Sequence, residues 1–125
     1  VIKSDLWMIL TITIQDVAFL HRAMLGGKIN GSSYKDNCGR GCLVGTIAIH
    51  RAVTEHQIPG IKPNAERPAE RWFLRFQPGM TPDSDPAMKI TLDWVEEFMA
   101  IHKIEPLVTD RKAVTEKNEQ VKEDE

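Results

Sequence analysis

The sequence predicts a small, mainly α-helical single domain of four helices joined by long glycine- and proline-rich connections. Three observations carry this. Apolar residues recur at three- and four-residue spacing in four separate stretches. Asn, Asp, Gly and Pro stand at the ends of those stretches, where caps and breaks belong. Finally, Trp72, Phe73, Phe76, Trp94 and Phe98 cluster in a chain that is only 6% aromatic, which suggests one shared core. At 125 residues the domain is long enough to bury that core without staples.

The first helix is expected from Leu6 to Leu25, capped by Ser4 or Asp5 and stopped by Gly26-Gly27. Its apolar face is Ile14, Val17, Ala18, Leu20, His21, Met24 and Leu25. The alternation Leu10-Thr11-Ile12-Thr13-Ile14 leaves an α+β alternative, with a short N-terminal strand over 7–14. Residues 26–41 read as loop. A buried helix follows over 42–53, in which Gly45 costs about 1 kcal/mol against alanine and so implies the close approach of another helix. A third helix spans 65–77, capped by Asn64, with Pro68 in its first turn and Pro78-Gly79 beyond it. The last, 86–102, opens on Asp85-Pro86 and is expected to bury Ile90, Trp94, Phe98 and Ile101 beside Met88, Leu92, Val95 and Met99. The domain therefore covers 1–108. Residues 109–125 form a charged tail with too little apolar surface to offset its ordering entropy.

Charge narrows the function. The tail holds six acidic and four basic residues, which leaves twelve of each in the domain. A neutral domain does not suit nucleic acid as the main partner. Two cysteines four positions apart are no framework for a secreted fold, and the N-terminal apolar run is too short to span a bilayer. A cytoplasmic protein is expected. The sequon Asn30-Gly31-Ser32 would matter only in a secreted chain.

Chemically capable residues concentrate between Cys38 and Thr46. Cys38, Cys42, His50 and His56 fall within Cys2His2 spacing, so zinc is one candidate cofactor, although the interval from Cys42 to His50 is short. Cys42 at a helix N-terminus beside Arg40 is a candidate nucleophile, with His21 or His50 as base. Gly39, Gly41 and Gly45 before a helix could cradle an anion, assisted by Arg40. Each motif has a plain structural alternative, namely a packed core cysteine and a hinge. Arg67, Arg71 and Arg75 recur every four residues on one helix face, a candidate row for phosphates or a partner's carboxylates. Asp83-Ser84-Asp85 could hold calcium, but capping explains it more simply.

The segments Ile29–Tyr34, Cys42–Ala48, Arg67–Phe73, Pro78–Pro82 and Lys89–Thr91 with Trp94–Phe98 resemble a group of small phage and bacterial proteins without an assigned activity. The resemblance spans about residues 14–102 and implies a mobile-element protein. The group's cysteines are often closer together than Cys38 and Cys42, so no metal or redox geometry is implied. With no convergent catalytic set and no cofactor fingerprint, the expected function is a non-enzymatic module that binds a protein partner or itself. The alternatives are a metal- or thiol-dependent enzyme centred on Cys38, Cys42 and His50, and anion or nucleotide binding through Arg67, Arg71 and Arg75.

Overall fold

A computed structural model describes residues 1–107; the charged tail lies outside the described residues. The domain is mainly helical, as expected, with five α-helices and no strand among those residues. They are α1 (Ile2–Ile12), α2 (Val17–Leu25), α3 (Leu43–Arg51), α4 (Pro68–Phe73) and α5 (Pro86–His102).

The expected first helix is two. It breaks at Thr13, passes through one tight turn at Ile14–Asp16, and resumes at 96° to its first half. The side chain of Thr13 bonds back to the Ile9 carbonyl at 2.8 Å, and the turn carries Asp16 into the interior. A continuous rod would leave that carboxylate without its partners. The break also lets each half bury its own stripe. Leu6, Ile9 and Leu10 go inward from α1, and Val17, Leu20, His21 and Met24 from α2. Ile14, assigned above to the buried face, points outward. No strand forms over 7–14, and no described helix is long and apolar enough to cross a membrane.

α3 matches its expected position, although it ends at Arg51 with Ala52 in a left-handed cap. Gly45 and Gly41 belong to close packing rather than to a hinge. A Cβ at either would collide with the backbone carbonyl of Tyr34. The loop before α3 is likewise tied down: Asp36 accepts hydrogen bonds from the Asn30 side chain and from the backbone N–H groups of Cys38 and Arg40.

α4 is much shorter than the 65–77 expected. Arg67, not Asn64, occupies the cap position, and its side chain makes no capping bond. The capping acceptor comes from another helix: Asp5 of α1 takes the Ala69 N–H at 2.9 Å and the Arg67 guanidinium at 2.9 Å. Beyond Phe73 the chain turns through Leu74–Phe76 so that Phe76 is buried.

α5 has its expected bounds. Asp85 accepts from the Met88 N–H at 2.9 Å, and Pro86 opens the helix. Its inward stripe is Met88, Thr91, Leu92, Val95, Phe98 and Met99. Ile90 and Ile101, expected inside, are 46% and 57% exposed. The helix is apolar on two sides and can turn only one of them to the core. Trp72 and Trp94 meet at 5.8 Å but are only partly buried, while Phe73, Phe76 and Phe98 fill the interior. Trp7 adds a ring that the sequence reading did not single out, set edge-on to Phe98 at 5.7 Å.

Candidate functional site

α3 is the centre of the polar chemistry, and its two ends differ. At its C-terminal end, His50 and Arg51 converge on Asp16, which is 1% exposed. Arg51 donates to Asp16 Oδ2 through Nε at 2.9 Å and Nη2 at 2.7 Å. His50 Nδ1 lies 2.7 Å from Oδ1. With arginine on the other oxygen the carboxylate is an acceptor only, so Nδ1 carries the proton and donates. The imidazole also stacks on Phe19, with ring centroids 4.5 Å apart and planes at 22°.

Between α2, α3 and the 26–41 loop runs a cleft of about 600 Å³. Phe19, Ala23 and Ile49 supply apolar wall, Thr46 a hydroxyl, and Arg22 and Lys28 positive charge. Among the described residues no carboxylate lines it. Arg22 lies over the Phe19 ring at 5.5 Å. Such a volume and apolar lining, with a few fixed polar groups, are what small-molecule sites have.

The other end of α3 carries Cys42. Its Sγ caps the helix by accepting from the Gly45 N–H at 3.4 Å. It lines a separate pocket of about 210 Å³ together with Tyr34 and Glu70. Burial dominates here: it pushes the thiol above its ordinary value, outweighing the N–H groups that favour thiolate. Burial likewise raises the Glu70 carboxyl, which accepts from the Asn64 N–H, and the Tyr34 hydroxyl. These are neutral-leaning groups. The helix-terminus argument for an activated nucleophile therefore loses to desolvation at Cys42.

The four candidate zinc ligands are not brought together. Cys38 is exposed and Cys42 buried, His50 is held by Asp16, and His56 stands in solvent beside Glu55. Cys42 and His50 are separated by the length of α3, about 12 Å of helical rise, whereas zinc ligands crowd within a few ångströms. Among the described residues no group of three His, Cys, Asp or Glu is placed to share a metal. His21, the other candidate base, is buried on Glu96 at 2.9 Å.

The arginine row is broken up. Arg67 is tied to Asp5, Arg71 extends into solvent with Glu66 at 4.0 Å, and Arg75 folds over the Trp72 ring at 4.0 Å. The row needs a helix of three turns, and α4 has six residues. Arg40 pairs with Asp36, whose carboxyl the Asn30 side chain and the loop N–H groups hold well below the usual carboxylate range. Asn30 Nδ2, the sequon nitrogen, is committed to Asp36 at 2.8 Å. Asp85 of the Asp83–Asp85 group caps α5.

Sequence reasoning missed Asp16, Phe19 and Lys28. Asp16 had one available signal, a lone acid on an otherwise apolar helical stripe.

No protein-family model, no curated protein and no solved structure matches this chain.

Proposed function

We propose that the protein is a non-enzymatic binding module whose cleft between α2 and α3 takes a small organic anion with an apolar body. One observation carries the reading: a cleft of about 600 Å³ in a net-acidic protein is lined by apolar groups and by Lys28, with no carboxylate among the described residues that line it. An aromatic acid satisfies both features, its ring against Phe19 and Ile49 and its charge toward Lys28. Thermal unfolding in benzoate, compared with benzylammonium, tests this. A ligand at ten times its Kd adds about 1.4 kcal/mol to stability, a shift of several degrees in a domain this size. Benzoate should stabilise and Lys28→Glu should remove the effect. Equal responses to both ions would defeat the proposal.

Contact with a second copy of this chain is the second reading, favoured by the outward Ile90 and Ile101 of α5. An antiparallel copy sets each isoleucine against the other at both ends, the self-complementarity a two-fold interface requires. Sedimentation showing a dimer that Ile101→Lys dissociates would support it. A monomer at all concentrations would remove it.

A further inference from the structure

The pocket at the Cys42 end of α3 is separate from the cleft and has the opposite chemistry. Glu70 lines it and is 4% exposed. A carboxylate offers about four acceptor positions. Among the described residues, both oxygens of this one share a single donor, the Asn64 N–H, at 3.2 and 3.1 Å. Arg67, whose charge favours the carboxylate, is itself committed to Asp5 at 2.9 Å. Burial therefore prevails and holds the carboxyl above its ordinary value. Glu70 is a buried acid short of donors and short of a counter-ion.

The rest of the wall says what could supply both. The Glu70 charge raises the Tyr34 hydroxyl and the Cys42 thiol, so it is felt across the space that these three side chains line. Those two groups stay protonated at neutral pH, and among the described residues Glu70 is the only charged side chain that lines the pocket. Ala65 and Leu74 add apolar surface, Leu74 while 44% exposed. At about 210 Å³ the space is smaller than the pockets that take drug-sized molecules, and suits a chain of a few carbons. We propose that this pocket binds a short-chain primary amine in its ammonium form, with the cation on Glu70 and the hydrocarbon against Leu74 and Tyr34. An ammonium brings three donors and a positive charge, the two things that the carboxyl lacks.

Butylammonium chloride tests this on the full chain at neutral pH, against sodium chloride at the same ionic strength and against butan-1-ol. Isothermal titration should detect the ammonium and not the alcohol, and only the ammonium should raise the unfolding temperature. Glu70→Gln keeps the shape and an acceptor for the Asn64 N–H while removing the charge. It should weaken butylammonium binding about tenfold, the worth of a charge-assisted hydrogen bond. The variant relieves a buried charge and should fold at least as stably as the parent at this pH, so a lost response is not a lost fold. Butylammonium that does not bind, that binds no better than butan-1-ol, or that binds Glu70→Gln as well as the parent overturns the inference. Repeating the benzoate and benzylammonium comparison in Glu70→Gln reads the cleft alone, so the two sites stand or fall separately.

Discussion

The two ends of α3 place polar groups in the same nine-residue helix under opposite conditions. At the His50–Arg51 end a buried carboxylate meets nitrogen partners on both of its oxygens. At the Cys42 end a thiol and a carboxyl meet desolvation with few compensating donors, so both lean toward their neutral forms. Burial is common to both ends; partners are not. A helix N-terminus offers a fraction of a charge, which is too little to hold a thiolate in a small, mainly apolar pocket.

The largest expected effect is at the charged end. Asp16→Ala leaves Arg51 and His50 without their acceptor and should cost about 3–5 kcal/mol in denaturant unfolding. A loss under about 1 kcal/mol would mean that the pair holds little together and would erase the contrast. At the other end, Cys42→Ser keeps a capping acceptor for the Gly45 N–H and should stay within about 1 kcal/mol of the parent. A much larger loss would show that this end also depends on a specific charge state.

The smallest effect concerns pH. Burial raises the Glu70 carboxyl above its ordinary 4.5, so the native state holds that proton more tightly than the unfolded chain. The stability this contributes is complete below 4.5 and is lost as pH rises through the raised native value. Glu70→Gln keeps an acceptor for the Asn64 N–H without the charge. It should therefore match the wild type in acid and exceed its stability at neutral pH. Stability curves that run parallel across this range would contradict the direction of the shift.

Local signals were legible where the partner is close in sequence. Asp85-Pro86 announced the start of α5, Gly26-Gly27 the end of α2, and Gly45 a close approach, although the neighbour is the loop backbone at Tyr34 and not another helix. They failed where a helix end is completed from afar. Nothing around Pro68 shows that Asp5, more than sixty residues earlier, supplies the acceptor for α4, so Asn64 was the better local cap. The candidate site followed the same rule. Cysteines, glycines and an arginine row attract notice by type and spacing, whereas Phe19, Ala23, Thr46 and Ile49 form one surface only after α2 and α3 pack.

The sequence by itself determined helical character, most helix boundaries to within a turn, and the membership of Phe73, Phe76 and Phe98 in the core, because periodicity and capping act over a few residues. Tertiary structure decided the break at Thr13, which of two apolar sides α5 turns inward, and the protonation leaning of Cys42 and Glu70. Those depend on solvent exclusion and on partners distant along the chain, and neither is encoded in local spacing.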